Sequence, residues 1–218
     1  MKKLIQGIVD FRKNLTEENR ALFARLALGQ KPDTLFIACS DSRVVPNLFA
    51  SSNPGDLFVI RNVGNIIPPT AEAFQDDSAS AALEFAVFTL KVSDIVVCGH
   101  SECGAMIALA DGIDNICCPH LGSWLKYGEE SLNRVHADFV IDPKLSHHNQ
   151  VSQANVLLQI DHILTYPFVQ DRIAKKQLRI HGWWFDIAKA DVYCYEKELK
   201  QFILIADEEA NLILDRLK

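Results

Sequence analysis

Leu4, Ile8, Phe11 and Leu15 recur at helical spacing, which predicts an amphipathic helix at the start of the chain. A second is expected over 16–28, with Thr16 as N-cap and Gly29 as the stop. The pattern then changes period. Leu35-Phe36-Ile37-Ala38, Leu57-Phe58-Val59-Ile60 and Asp94-Ile95-Val96-Val97-Cys98 are nearly unbroken apolar runs, as expected for strands covered on both faces. Between the second and third runs, residues 78–90 read as a well-buried helix rich in Ala, Leu and Phe. Ser101 is placed to cap a helix running to about Asp111, and a long helix is expected near 152–164, stopped before Pro167. Residues 178–185 read as a fourth strand, 192–195 as a candidate fifth, and 207–217 as a terminal helix.

Strands alternating with helices predict an α/β fold: a mostly parallel central sheet of four to five strands, flanked by helices and preceded by an N-terminal helical arm. A single domain is expected, with the arm over 1–30, an α/β core over 31–186 and a C-terminal extension over 187–218. The arm either packs on its own domain or lies over a neighbouring subunit, and the pattern leaves both open. Ligands of such sheets bind at the carboxyl ends of strands, which directs attention to the segments after the first and third runs.

Composition narrows the class. Of 218 residues, 49% are hydrophobic and 23% charged, enough for a substantial core. A net charge of −6 argues against a general nucleic-acid binder. The start, Met1-Lys2-Lys3-Leu4-Ile5, imitates an export signal, but Gln6, Gly7 and Asp10 interrupt the apolar run. No apolar stretch is long enough to span a bilayer. The expectation is a soluble cytoplasmic protein with no membrane partner. Six cysteines without export are then packing groups, metal ligands or reactive thiols rather than disulfides.

The two strand ends supply Cys39-Ser40-Asp41-Ser42-Arg43 and, some sixty residues later, Gly99-His100-Ser101-Glu102-Cys103-Gly104. His100 and Cys103 straddle a strand-to-helix turn, where an imidazole and a thiolate can converge on one ion. Two Cys and one His form a catalytic zinc set, because a tetrahedral ion then keeps one position for water. Cys103, expected in the first turn of a helix, gains thiolate character there. Taken alone, Cys39 reads as core and the H-x-x-C turn is a weak motif; together, at neighbouring strand ends, they are hard to dismiss. Cys39, Asp41 and Arg43 alternate along an extended segment and face one way, so Arg43 is expected to grip Asp41 and keep it ionised.

These motifs resemble the β-class carbonic anhydrases. Further matches are Phe58-Val59-Ile60-Arg61-Asn62-Val63-Gly64-Asn65, Ala82-Leu83-Glu84-Phe85-Ala86-Val87 and His181-Gly182-Trp183, and the resemblance covers roughly 25–186. It implies one Zn²⁺ per subunit held by Cys39, His100 and Cys103, and reversible hydration of carbon dioxide to bicarbonate. Asp41 and Arg43 match the catalytic dyad. Gln30, Phe58 and Phe85 match substrate-contacting positions that reach the metal of a partner subunit, so a homodimer or dimer of dimers is implied. Phe85 stands where many relatives have Tyr. The backbone N–H of Gly104 is expected to help stabilise the forming bicarbonate. Phe36, Ala38 and Phe185 occupy the positions of an inhibitory bicarbonate pocket found in some bacterial relatives, and they lack its Trp and Tyr donors, although Arg61 is kept. A plant-like, non-allosteric subtype is implied, with Asp41 off the metal.

Two thiolates cancel the ion's formal charge and weaken it as a Lewis acid, so activity is expected to rise into the mildly alkaline range. Hydrolysis of carbonyl sulfide or carbon disulfide, and a purely structural zinc, are the competing functions; the Asp41–Arg43–Gln30 set argues against the second. Cys117-Cys118-Pro119-His120 reads as a loop, because adjacent cysteines chelate poorly. His147-His148 reads as exposed loop, His162 as part of a helix face, and His136 and His181 as having no partner at ligand spacing. Cys98 and Cys194 read as packing, and Trp183-Trp184 as core and interface.

Overall fold

The computed structural model describes residues 1–75, 77–135 and 142–217. The apolar runs become strands of one six-stranded sheet ordered β2-β1-β3-β4-β5-β6. These are β1 (Thr34–Cys39), β2 (Leu57–Asn62), β3 (Asp94–His100), β4 (Arg179–Asp186), β5 (Asp191–Glu196) and β6 (Gln201–Leu204). The first four are parallel, and β5 and β6 extend the sheet antiparallel. Along β1, Leu35 and Ile37 enter one core layer with Leu83, Val97 and Val156, while Phe36 and Ala38 enter another with Val96, Cys98 and Phe185. That split is the period of two of a strand covered on both faces. The sixth strand lies beyond the four to five that the apolar pattern predicts. It is four residues long and mostly half-buried, so no continuous run marks it.

The N-terminal helices are α1 (Lys2–Asn14) and α2 (Glu17–Leu26), and Thr16 caps the second by accepting from the Asn19 amide at 3.1 Å. Neither helix buries a residue, and Leu4, Ile5, Ile8 and Phe11 lie exposed on the first. After α3 (Pro46–Phe49), α4 (Asp77–Glu84) continues as a wider π-helical segment over Phe85–Leu90. The continuous buried helix expected over 78–90 is thus corrected: Ala86 and Val87 point inward, but Phe85 and Phe88 remain about half exposed.

Next come α5 (Gly104–Ala110), α6 (Pro119–Leu125), α7 (Glu130–Arg134), α8 (His147–Leu164), α9 (Pro167–Ala174) and α10 (Asp207–Leu217). Helix α5 starts later than predicted. Glu102 takes a left-handed φ of 54°, which a helix cannot include, so Cys103 becomes the N-cap. The Ser101 hydroxyl accepts from the Ile187 amide instead. Helix α8 starts earlier than predicted and places His147 and His148 in its first turn, not in a loop. Its opening turn is polar, so apolar periodicity does not reveal where it begins. Gly99 lets α8 seat on β3: a Cβ there would lie 2.8 Å from Val156 Cγ2.

Candidate metal centre

Strands β1 and β3 are neighbours, with Ala38 opposite Cys98, so Cys39 and His100 finish side by side at their carboxyl ends. Because β2 lies on the other side of β1, the strand order reverses here, at the point where open α/β sheets bind their ligands. The turn after β3 folds Cys103 back toward Cys39. Their sulfurs are 3.9 Å apart, and the ligand atoms of Cys39, His100 and Cys103 all lie within 4.8 Å of one another. A tetrahedral ion with zinc–sulfur bonds of about 2.3 Å separates two thiolates by about 3.8 Å, so the spacing fits.

The imidazole is prepared in the same sense. Nδ1 of His100 lies 2.8 Å from the Ser101 carbonyl, which can only accept, so Nδ1 carries the proton. Nε2 is left with a lone pair, and it is buried without a hydrogen-bond partner. An orphaned buried acceptor beside two sulfurs is what a metal ligand looks like before the metal is counted.

The thiols behave as a coupled pair. The Cys103 S–H pulls the Cys39 thiol down to about 4 against burial, helped by the amides of Gly64 and Asp41. Cys103 is correspondingly pushed up, by Cys39 and by burial. Two buried sulfurs sharing one proton can both ionise once a divalent cation replaces that proton. Gly64 is needed for this arrangement. Its φ is 81°, its amide points at Cys39 Sγ from 3.4 Å, and a Cβ would meet Ala105 Cβ at 3.1 Å.

Beside the sulfurs, Arg43 grips Asp41 twice, through Nε to Oδ1 at 2.9 Å and Nη2 to Oδ2 at 2.8 Å. The Arg43 amide adds a third bond to Oδ1. This guanidinium holds the Asp41 carboxyl well below the usual carboxylate range. Arg43 Nη2 also donates to the Glu102 carbonyl at 2.9 Å. Arg61 donates to the carbonyls of Cys39 and Asp41 and so fixes the loop between them.

A set of residues on α8, invisible to motif reading, holds the two loops together. Asn149 accepts from the Glu102 amide, Ser152 donates to the His100 carbonyl, Asn155 donates to the Gly64 carbonyl and Gln159 accepts from the Ile67 amide. All four are buried. Their signal in the sequence is short polar side chains or amides recurring three or four apart, at 149, 152, 155 and 159, which aligns them on one face.

The remaining candidates fall into place around this centre. Phe58 lies opposite Leu35, four residues before Asn62, which lies opposite Cys39. That puts Phe58 about 13 Å from the sulfur end of the sheet. Phe85 packs on it with ring centroids 5.6 Å apart, and Gln30 precedes β1 at the same amino end. Within one chain, these three do not meet Cys39. Gly104 is exposed beside Cys103. Phe36, Phe49 and Phe185 form an apolar cluster, with Phe49 stacked on Phe185 at 4.7 Å.

Among the described residues, Cys39, His100 and Cys103 are the group able to hold a metal. Cys117 and Cys118 are exposed free thiols; Cys98 and Cys194 are buried in strands. His162 meets the Ile67 carbonyl on its helix face, and His181 meets Asp94. Trp184 is buried and donates to Ser152, whereas Trp183 packs on Phe36. His136 lies outside the described residues.

Comparison with known proteins gives one consistent result. A family model described as carbonic anhydrase matches residues 34–192. A carbonic anhydrase of Synechocystis sp. is 39% identical over 93% of this chain and 74% of its own length. One from Pseudomonas aeruginosa is 37% identical over 95% of this chain and 93% of its own. The solved β-carbonic anhydrase CcaA superposes with a TM-score of 0.86 at 38% identity, covering 95% of this chain and 92% of that one. A tetrameric β-carbonic anhydrase of Sordaria macrospora superposes at 0.76 with 30% identity, covering 88% and 95%.

Proposed function

This chain belongs to the β-class carbonic anhydrases, and from that premise we propose how its residues carry out the reversible hydration of carbon dioxide to bicarbonate and a proton. Cys39, His100 and Cys103 hold one Zn²⁺, which supplies the Lewis acidity that makes water nucleophilic near neutral pH. Asp41 is the orienting acceptor. Its Oδ1 takes two donors from Arg43, but Oδ2 takes one and keeps a lone pair. Oδ2 therefore receives the O–H of the attacking nucleophile and turns that oxygen's own lone pair toward the substrate carbon. Arg43 keeps the carboxylate ionised and so unable to donate in its place. The backbone N–H of Gly104, a residue exposed beside Cys103, serves the forming bicarbonate oxygen.

Gln30, Phe58 and Phe85 act on the site of a second copy, where two phenyl rings suit a nonpolar gas and the amide of Gln30 steers an oxygen. Their distance from the chain's own sulfurs supports this, as does an α1 with exposed Leu4, Ile8 and Phe11. The assembly is a homodimer or a dimer of dimers, with residues 1–30 as the arm, 31–186 as the catalytic core and 187–218 as the extension. The enzyme is of the non-allosteric subtype. Arg61 is engaged by the carbonyls of Cys39 and Asp41, and aromatic rings fill the neighbouring space. Six cysteines without a disulfide among them suit the reducing cytoplasm, and no helix among the described residues is long and apolar enough to cross a membrane.

The carrying observation is the ionised, Arg-clamped Asp41 beside a buried imidazole nitrogen with no partner. Metal content and stopped-flow carbon dioxide hydration on one preparation test it. One zinc per subunit with hydration far above the buffer rate is expected; a zinc-loaded, inactive protein would refute the reading.

A further inference from the structure

Glu102 stands between two of the ligands in a backbone conformation that side chains with a Cβ rarely adopt, at φ 54°. Glycine would sit there at lower cost, so the side chain present invites the question of what it does. Asn149 engages it twice: the Glu102 amide donates to Oδ1 at 2.8 Å, and Nδ2 donates to Glu102 Oε1 at 2.9 Å. His148 Nε2 lies 3.1 Å from the other carboxylate oxygen. The first turn of α8 thus grips this one residue at three points, although the carboxylate itself is half exposed. The Glu102 carbonyl, oriented by that grip, accepts from Arg43 Nη2 at 2.9 Å. The other hydrogen bonds of the Arg43 side chain go to Asp41. Because 47% of the Arg43 side chain is open to solvent, little packing holds the guanidinium in place.

We infer that Glu102 is a positioning residue, which transmits the placement of α8 through its carbonyl to Arg43 and thence to the Asp41 carboxylate. The inference rests on the Asp41–Arg43 reading above. It makes His148 and Asn149, which touch neither metal ligand nor substrate, part of the apparatus that aims Asp41. Displacing a reacting partner by about 1 Å can cost up to about a hundredfold in rate, so a loosened guanidinium is enough to be measured.

The test uses the zinc-loaded enzyme. Glu102→Gly keeps the left-handed backbone free of strain but abolishes the side-chain grip. It should retain full zinc and lose about tenfold in kcat. Glu102→Gln, whose Oε1 can still accept from Asn149, should recover to within about threefold of the parent. Asn149→Ala removes the grip from the helix side; it should reproduce the Glu102→Gly loss and serves if that variant fails to fold. In an Arg43→Ala background, Glu102→Gly should cost less than about twofold, because the link it acts through is gone. Parental kcat in both Glu102→Gly and Asn149→Ala would overturn the inference. So would an activity loss that tracks zinc loss, or an undiminished tenfold cost without Arg43. If Arg43→Ala and Asp41→Asn themselves leave kcat unchanged, it is the dyad reading that fails, and this inference falls with it.

Discussion

Replacing Asp41 by Asn separates catalysis from stability. The isosteric amide keeps one acceptor oxygen, and at the Oδ1 position this satisfies the amide and Nε of Arg43 as before. The NH₂ then replaces Oδ2 and faces Nη2 across 2.8 Å, donor against donor. Flipping the amide only moves the clash to the other two donors. One charge-assisted hydrogen bond is lost, nominally about 1.5–3 kcal/mol. Because 47% of the Arg43 side chain is exposed, solvent screens much of that, and about 1 kcal/mol is a fairer figure. For a chain of 218 residues this lowers Tm by about 2–4 °C. Zinc content should be unchanged, since Asp41 is no part of the Cys39–His100–Cys103 group. The catalytic loss is far larger, because the lone pair that orients the nucleophile has become an N–H. Removal of a proton-accepting group of this kind costs about 10²–10⁴ in rate, or about 3–5 kcal/mol. Stopped-flow hydration, metal analysis and thermal denaturation on one sample read all three quantities. An Asp41→Asn enzyme with full zinc and kcat/KM within threefold of the parent would refute the role; so would a Tm drop large enough to explain the loss by unfolding.

Other outcomes follow from the same geometry. Cys103→Ala removes one of the three ligands and should leave well under one zinc per subunit by metal analysis, with hydration at background. Hydration by the parent enzyme should rise from mildly acidic to mildly alkaline pH in a stopped-flow profile. Asp41 is held ionised throughout that range by Arg43, so Asp41 itself does not shape the rise. At the opposite sheet end, hydrogen bonds from His181, Arg179 and Ser93 overcome desolvation and hold the Asp94 carboxyl well below its usual range. A lowered folded-state pKa stabilises above the unfolded value and is lost as pH falls, so acidification below about pH 4 should cost the parent stability that Asp94→Asn lacks from the start. Urea melts at neutral and acidic pH would show it as converging curves. Deleting residues 1–28 should reduce the mass seen by light scattering and lower activity with it; an unchanged mass would place the arm outside the assembly.

Legibility followed the kind of signal each element carries. β1 and β3 are buried on both faces and so read as continuous apolar runs, and the ligands lie at their ends, where an open α/β sheet binds. Cys39, His100 and Cys103 were therefore visible as a set; Asp41 and Arg43 pair as expected, but across a turn closed by the Val44 amide on the Asp41 carbonyl at 3.1 Å rather than by alternation along an extended segment. Glu102 was not, because nothing in a residue's identity announces a left-handed φ; that conformation moved the N-cap from Ser101 to Cys103. The start of α8 was missed for a related reason. His147, His148 and Asn149 look like loop; the Ser146 carbonyl, which accepts from the Asn149 and Gln150 amides, and the carboxylate and amide of Glu102, brought alongside after β3, hold them in the first turn.

The same limit applies with more force to Gln30, Phe58 and Phe85. A parallel sheet fixes where each strand residue stands along the strand direction, and the pairing of Leu35 with Phe58 and of Cys39 with Asn62 puts Phe58 and Cys39 toward opposite ends. No rotamer change spans about 13 Å. On the proposed reading, a single chain carries the ligands of one site and the walls of another, and these meet when a second copy docks with its sheet end turned around. A twofold axis does that for both sites at once, because whatever one copy lends to its partner it receives in return. Carbon dioxide hydration by this chain should therefore depend on association even though every zinc ligand is its own, and dilution below the dimer's dissociation constant should cost activity before it costs metal.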